Sequence, residues 1–102
     1  MTQDDIIEIG IDKSDRLYIK PKTEKFSMIY RSAAEVHWDS VGLFLYSPKP
    51  RDWSYLDWYK HMTSLIKTDC NCQLTLSENT IWVNIDESLK NEIQMTEQKT
   101  TP

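Results

Sequence analysis

Residues 53–68 carry one long apolar stripe at helical spacing, and this stripe limits how the rest of the chain can fold. The apolar residues recur every three or four positions, as on one face of an α-helix: Tyr55, Trp58, Tyr59, Met62, Leu65 and Ile66. Asp52 precedes the segment and is a suitable N-cap, while Lys67 complements the helix dipole at the other end. The sequence therefore predicts one long helix whose apolar face packs against the remaining chain.

Much of the chain before this helix alternates apolar and polar residues, the pattern of strands with one buried face. Ile7, Ile9 and Ile11 form the first such run, and after a polar turn residues 17–21 resume the alternation as the second strand of a hairpin. Three more runs predict a third, fourth and fifth strand: residues 26–30, 36–38 and 43–46. Asp39 and Gly42 suit the ends of a type I turn between the last two. We expect an antiparallel meander.

Two apolar runs and a short amphipathic segment follow the helix. Residues 74–76 and 81–85 lie on either side of the turn at residues 78–80 and predict a second hairpin. Asp86 can cap a short terminal helix in which Leu89 and Ile93 lie about one turn apart. The order of elements predicts an α+β fold: an antiparallel sheet of five to seven strands, with the long helix packed on one face and a short C-terminal helix.

The chain has 102 residues, a length typical of one domain. No linker or internal repeat interrupts residues 6–94, which we expect to form this single domain. Residues 1–5 are polar, and residues 95–102 carry no apolar periodicity. We expect both ends to be flexible.

The charge balance and hydropathy exclude several classes of protein. Twelve Lys and Arg against 16 Asp and Glu give a net charge of −4, which disfavours nucleic-acid binding because such binding needs clustered cations. No apolar run approaches the ~20 residues that span a bilayer, so we expect no membrane insertion. No basic N-terminal segment leads into an apolar stretch and a cleavage site, so we expect a cytoplasmic protein.

Three polar residues alternate along the fourth predicted strand: Glu35, His37 and Asp39. Because alternate residues of a strand share a face, two carboxylates and an imidazole would line one surface. This row predicts a divalent-metal site, general acid–base chemistry as in a small hydrolase or isomerase-like enzyme, or the solvated side of an ordinary strand. The solvated strand is favoured, and a metal ion in particular needs three or four convergent ligands, whereas residues along one strand diverge. We expect no metal and no cofactor.

Cys70 and Cys72 form a C-x-C pair, and His61 precedes them on the polar side of the helix. No second cysteine pair completes a zinc finger, so the pattern favours reduced thiols used as packing groups, with His61 facing solvent. The chain also lacks the nucleophile elbow, the phosphate-binding glycine loop, H-E-x-x-H and the dinucleotide fingerprint. These absences favour a non-enzymatic protein.

Aromatic residues are concentrated in one part of the chain, where seven of the 11 lie within residues 38–59. The helix stripe and one sheet face cannot enclose them all, since Phe44 and Tyr46 alternate with leucines and Trp82 points away from Ile81 and Val83. We expect the surplus rings to form an exposed patch for association, unless the terminal helix covers them. The binding residues predicted on this argument are Trp38, Phe44, Tyr46, Arg51, Trp53 and Trp82.

The expected function is therefore a binding module without enzymatic activity. A homodimer is the commonest way for a small protein to cover such a patch, so we expect self-association through aromatic sheet surface. Lys49 and Arg51 make a small basic spot beside Trp53, suited to cation–π contacts or an acidic partner. We expect residues 47–53 to be presented to a protein partner or a small ligand.

Two runs of the sequence carry a resemblance to known proteins: IYRSAAEVHWD at residues 29–39 and LFLYSPKPRDWSY at residues 43–55. They resemble small uncharacterised bacterial proteins carried on integron gene cassettes. The resemblance extends over most of the chain and implies a compact, often oligomeric cytoplasmic module of a mobile element, with no catalytic residue to transfer. Immunity proteins of polymorphic toxins are similar in size, acidity and α+β organisation, which leaves open an immunity or antitoxin role in binding a basic toxin.

Overall fold

A computed structural model describes residues 2–32 and 35–99. These residues form an α+β fold, as predicted, with six strands, one 3-10 helix and two α-helices: β1 (Thr2–Ile11), β2 (Leu17–Pro21), the 3-10 helix (Ile29–Ser32), β3 (His37–Asp39), β4 (Phe44–Tyr46), α1 (Tyr55–Asp69), β5 (Cys72–Thr75), β6 (Ile81–Val83) and α2 (Glu87–Lys99). Neither α-helix in these described ranges has the length and apolar character needed to cross a membrane.

The apolar stripe forms α1, although its N-cap is Ser54 rather than the predicted Asp52. The Ser54 hydroxyl accepts from the Asp57 N–H at 3.1 Å, and the Asp57 carboxylate accepts from the Ser54 N–H at 3.2 Å. This reciprocal pair is a capping box, which needs an acceptor three residues after the cap. Asp57 supplies that acceptor for Ser54, whereas the residue three positions after Asp52 is Tyr55. The buried residues of α1 are Trp58, Tyr59, Met62 and Ile66.

The sheet is mixed, so the prediction of a purely antiparallel sheet was wrong. Its strand order is β3-β4-β2-β1-β5, and β6 also pairs with β1. The pairs β1–β2, β2–β4 and β3–β4 are antiparallel, but β5 and β6 both pair parallel with β1. The predicted second hairpin is therefore also wrong: β5 and β6 pair with successive parts of β1. Between them the Thr80 hydroxyl donates to the Ile6 carbonyl at 2.6 Å.

The parallel pairing follows from the position of α1 in the chain. β4 runs parallel to β1, because both are antiparallel neighbours of β2. A helix after β4 returns the chain to the end of the sheet at which β4 began, so the next strand runs in the same direction. β4, α1 and β5 thus form a crossover unit. Apolar alternation indicates which face of a strand is buried, but it does not indicate the strand's direction.

β1 contains a register shift that changes which isoleucines are buried. Its pairing with β2 passes from Ile6 opposite Pro21 to Glu8 opposite Lys20, so Ile7 is an extra residue, as in a β-bulge. Ile6 and Ile9 are consequently both fully buried, whereas Ile7 and the predicted Ile11 are only half-buried. The regular alternation predicted for this strand is interrupted at the bulge.

Residues 26–30 do not form the predicted third strand. The Ile29 N–H donates to the Phe26 carbonyl at 3.0 Å, and the 3-10 helix follows directly. Phe26 and Ile29, three positions apart, are both buried, while Met28 between them is 49% exposed. Two buried residues three positions apart are typical of a helical turn. In a segment as short as residues 26–30, the pattern of apolar residues fits a helical turn and an alternating strand equally well.

Both chain ends contain more regular structure than the sequence predicts. β1 begins at Thr2, and Thr2 to Asp5 pair with β5 through backbone hydrogen bonds that require no apolar side chain. The predicted terminal helix is present as α2, capped by Asp86, whose carboxylate accepts from the Leu89 N–H at 2.8 Å. It extends to Lys99, beyond the predicted limit at residue 94. Residue 1 and residues 100–102, also predicted to be flexible, lie outside the described residues.

The core lies between one face of the sheet and the two α-helices. Ile9, Ile19 and Leu45 are fully buried on this inner face and belong to one cluster with the buried residues of α1 and with Ile93 of α2. Directly paired residues share a face of a sheet. Trp38 pairs with Leu45, and Trp82 pairs with Ile9, so both indoles lie on the inner face.

We predict that Ser54→Ala lowers the free energy of unfolding by about 1 kcal/mol, because it removes the N-cap acceptor of α1. The control is Asp52→Ala, which alters an exposed carboxylate two residues earlier and should change stability by less than about 0.5 kcal/mol. Urea unfolding followed by circular dichroism measures both values. A larger loss for Asp52→Ala than for Ser54→Ala would restore the cap expected from the sequence.

Asp4 is a buried carboxylate, 6% exposed, that ties β1 to the segment after β2. One of its oxygens accepts from the N–H groups of Thr23 at 3.0 Å and Glu24 at 2.8 Å, and the other accepts from the Thr23 hydroxyl at 2.9 Å and the Asp5 N–H at 3.0 Å. Burial alone would raise the pKa of Asp4, but these hydrogen bonds outweigh it and lower the pKa below its ordinary value of 3.8. Ionised Asp4 therefore stabilises the fold.

We predict that Asp4→Asn lowers the free energy of unfolding at neutral pH by about 2 kcal/mol, the usual contribution of hydrogen bonds to a charged group. Because the folded pKa lies below the unfolded one, this contribution is present above the unfolded pKa and is lost as the pH falls through the folded value. The difference from wild type should narrow below about pH 4. Urea unfolding as a function of pH measures it.

Asp5→Asn is the control, because Asp5 is exposed and accepts one long side-chain hydrogen bond, from the Thr75 hydroxyl at 3.4 Å. It should show no comparable loss of stability at neutral pH. An Asp4→Asn effect that stays constant over the whole acid range would contradict the role assigned to the ionised carboxylate.

Candidate functional site

The outer face of the sheet, opposite the helices, carries a row of rings. Phe44 and Tyr46 point away from the core because Leu45 between them points into it. Tyr18 lies 5.4 Å from Phe44 between ring centroids, and Phe44 lies 6.0 Å from Tyr46. His37 stacks on Tyr46 at 5.2 Å with an interplanar angle of 29°. We call these four residues, Tyr18, His37, Phe44 and Tyr46, the ring row.

Gly10 leaves room for the Tyr18 ring to lie against β1. A Cβ atom at this position would lie 2.7 Å from the Tyr18 hydroxyl oxygen and 2.7 Å from the Val83 carbonyl oxygen. The Tyr18 hydroxyl reaches across the glycine and donates to the Glu8 carboxylate at 2.7 Å. Burial and the Glu8 carboxylate raise the pKa of Tyr18 well above its ordinary value of 10.0. Tyr18 is thus a fixed neutral donor.

The outer face continues from the ring row to β6. Ile81 and Val83 pair with Glu8 and Gly10, so their side chains share the outer face, where they are 56% and 37% exposed. At the other side of the row the Arg16 guanidinium lies 4.5 Å from the centre of the Tyr46 ring. We call the ring row together with Ile81 and Val83 the outer patch.

Glu35, His37 and Asp39 do not form the continuous row that the sequence indicates. Asp39 fixes the turn between β3 and β4, because its carboxylate accepts from the N–H groups of Val41 at 2.9 Å and Gly42 at 2.8 Å. His37 stacks in the ring row, while Glu35 precedes β3 with a φ of 62° and lines a separate cleft. Within residues 2–32 and 35–99, no three His, Cys, Asp or Glu side chains are placed to hold a metal ion.

A cleft of about 540 Å³ lies beside the N-terminus of α1. This volume falls in the range of roughly 300–1,000 Å³ typical of small-molecule sites. The segment before α1 supplies most of the lining. The lining residues are Glu35, Pro48, Lys49, Arg51, Asp52, Trp53, Trp58 and His61.

One wall of the cleft is a cluster of three rings. Trp53 lies 4.8 Å from Trp58 between ring centroids, and His61 lies 5.1 Å from Trp53 and 5.6 Å from Trp58. Trp53 is 44% exposed, whereas Trp58 is 6% exposed and its indole N–H has no acceptor among the described residues. His61, which was expected to face solvent, is half-buried against both indoles and lines the cleft, because it lies one helical turn after Trp58.

The segment that enters the cleft is anchored to the hairpin of β1 and β2. The buried Ser47 donates its N–H to the Leu17 carbonyl at 2.9 Å, accepts from the Leu17 N–H at 3.2 Å, and donates its hydroxyl to the Pro48 carbonyl at 2.8 Å. Lys49 lies 3.4 Å from the Asp15 carboxylate, and the Tyr55 hydroxyl donates to the Asp15 carbonyl at 2.9 Å. These contacts hold the cleft wall in one position.

The predicted binding residues fall into three groups. Phe44 and Tyr46 lie in the outer patch, and Arg51 and Trp53 line the cleft. Trp38 and Trp82 lie on the inner face instead, where Trp38 contacts Phe26 edge-to-face at 5.9 Å and the Lys90 ammonium of α2 lies 5.5 Å from the Trp82 ring. The terminal helix therefore covers part of Trp82, but the ring row lies on the opposite face.

The two cysteines have the environment of packing groups. Cys72 is 1% exposed within the core, and Cys70 is half-buried. Burial raises the pKa of both thiols, and the negative charge of Asp69 adds to the effect at Cys70. A raised pKa disfavours the thiolate, which is the form that binds metals and reacts with oxidants.

Comparison with known proteins links the chain to one described family. The family model for integron cassette protein Hfx_Cass5 matches residues 4–80. A solved structure of integron cassette protein Hfx_Cass5, from the mobile metagenome of North West Arm Sewage Outfall, is 34% identical in sequence. The match covers 96% of this chain and 98% of that chain, with a TM-score of 0.49. No curated protein matches the chain.

We predict that Asp39→Ala lowers the free energy of unfolding by about 1 kcal/mol, because two N–H groups of the turn lose their acceptor. Glu35→Ala removes the other carboxylate of the sequence pattern, which is exposed, and should change stability by less than about 0.5 kcal/mol. Urea unfolding compares the two variants. Equal stability of both would show that the Asp39 carboxylate has no structural role in the turn.

Proposed function

This chain belongs to the integron cassette protein Hfx_Cass5 family, as the match over residues 4–80 establishes, and from that premise we propose a non-enzymatic binding module that self-associates through its outer patch. Membership agrees with the resemblance to integron cassette proteins drawn from the sequence. The family description names no activity. The proposal therefore rests on the surface of this chain.

The observation that carries the proposal is the set of rings and aliphatic side chains on the face of the sheet opposite the helices, on either side of β1. The ring row and the exposed side chains of Ile81 and Val83 share this face. Covering such area on association contributes about 25 cal/mol for each Å² of apolar surface removed from water. A second copy supplies a matching face, since a two-fold interface brings the same patch of both subunits together.

The charged groups of the outer face are compatible with an interface. Arg16 lies over the Tyr46 ring, and Glu8, opposite Ile81, accepts from the Tyr18 hydroxyl. Both groups have partners within the chain, and interfaces commonly contain hydrogen-bonded polar groups. Residues of the outer patch and of the cleft are different, so self-association and ligand binding make separate demands on the chain.

The other functions expected from the sequence receive less support. An enzyme that uses Glu35, His37 and Asp39 together would need them to converge, yet Asp39 is engaged by the backbone of its turn and Glu35 lines the cleft. An immunity or antitoxin role in binding a basic toxin stays a prediction based on acidity and size. Cytoplasmic location also stays a prediction.

We predict that the wild-type chain sediments at twice its monomer mass of 12.1 kDa and that Ile81→Lys shifts it toward monomer. A lysine at this position would have to be desolvated in the interface, which costs free energy even with the Glu8 carboxylate opposite it. The matched control is Met95→Lys, because Met95 on α2 is 57% exposed and Ile81 is 56% exposed. Sedimentation equilibrium over a range of concentrations measures the mass, and circular dichroism checks the fold.

A second variant, Phe44→Lys, tests the ring row itself and should also produce monomer. The proposal is overturned by a wild-type chain that stays monomeric at all concentrations. It is equally overturned if both outer-patch variants and Met95→Lys keep the same mass as wild type.

A further inference from the structure

We propose that the cleft beside α1 binds an uncharged sugar ring that stacks on Trp53. This inference rests on the binding role proposed above, but it is independent of self-association. It specifies the class of ligand that residues of the segment before α1 bind. Two features of the cleft lead to a sugar: an ordered indole face and a balanced set of charged groups.

Trp53 offers an ordered apolar platform. Nearly half of its surface is exposed, although the ring packs against both Trp58 and His61. Such packing fixes the indole before a ligand arrives, which reduces the entropy lost on binding. A pyranose ring has a face of C–H groups that can cover an exposed indole, while its hydroxyls point to the sides.

The charged groups of the cleft balance one another. Lys49 and Arg51 carry positive charge, and Glu35 and Asp52 carry negative charge. Glu35, Arg51 and Asp52 are all exposed, so their polar atoms are accessible to a ligand. An anionic ligand would meet the two carboxylates, and a cationic ligand would meet the guanidinium.

An uncharged polyhydroxyl ring makes use of both kinds of group. Each hydroxyl donates one hydrogen bond and accepts others, so neighbouring hydroxyls pair with carboxylates on one side and with guanidinium or ammonium groups on the other. Hydrogen bonds to charged groups are stronger than those between neutral groups. The mixed lining therefore favours a sugar over an organic ion of either sign.

The test is a titration of the full chain with methyl β-D-glucopyranoside, methyl α-D-mannopyranoside, N-acetylglucosamine and maltose. Isothermal titration calorimetry and saturation-transfer NMR measure binding at sugar concentrations up to about 50 mM. This range is wide enough to saturate a site with a Kd on the order of 1 mM. At least one of these sugars should bind saturably. Trp53→Ala should weaken that binding at least ten-fold, and Trp53→Phe, which keeps a ring, should retain most of it.

Tyr46→Ala is the matched control, because it removes an aromatic side chain of the outer patch and none of the cleft. It should leave sugar affinity unchanged and reduce self-association. Trp53→Ala should reduce sugar affinity and leave self-association unchanged. A monomeric wild type that still binds a sugar would contradict the outer-patch proposal alone. A dimeric wild type that binds none of the four sugars would contradict the cleft proposal alone.

Two charged aromatic probes complete the test. Benzoate and benzamidine both stack on an indole, but they carry opposite charges and no hydroxyl groups. The sugar proposal is overturned if either probe binds more tightly than every sugar, or if Trp53→Ala binds the preferred sugar as well as wild type does. Weaker binding of both probes than of the preferred sugar supports it.

Discussion

The structure depends on the burial of α1 against one face of the sheet. Trp58, Met62 and Ile66 of α1 belong to the same buried cluster as Ile9 and Leu45 of the sheet. Because α1 is also the connection between β4 and β5, its packing requires β5 to run parallel to β1 and brings β6 beside β1 as well. With both helices on one side, the other face of the sheet keeps its rings in contact with solvent.

The sequence predicts those parts of the fold that depend on which residues are apolar. The stripe of α1 and the strands of the first hairpin follow from apolar periodicity. The cap at Asp86 follows from the type of residue that precedes the last helix. Strand direction does not follow from it, so the parallel pairing of β5 and β6 was missed. Periodicity also fails over short segments, since Phe26 and Ile29 fit a helical turn as well as a strand.

The candidate sites, like the fold, follow only in part from the sequence. Arg51 and Trp53 were proposed from the sequence, Arg51 as part of a basic spot beside Trp53 and Trp53 because it lies off the helix stripe, and both line the cleft. Trp58 is assigned to the core, yet its ring also forms the wall of the cleft. The spacing of Trp58 and His61, one helical turn apart, is the signal that would have placed the imidazole against the indole. Glu35 reaches the cleft because of the chain turn before β3, and no residue spacing in the sequence indicates that turn.

Ionisable side chains help to hold β1, its hairpin and the start of α1 in place. Hydrogen bonds lower the pKa of Asp4 and Asp12 despite their burial, so both carboxylates are ionised across the neutral range. Burial raises the pKa of the phenols and thiols, which are neutral there: Tyr18, Tyr55, Cys70 and Cys72. Ionised Asp4 ties β1 to the segment after β2, and the neutral Tyr55 hydroxyl ties α1 to the first hairpin. The outer patch and the cleft are both built on these elements, so the same contacts position the two candidate surfaces.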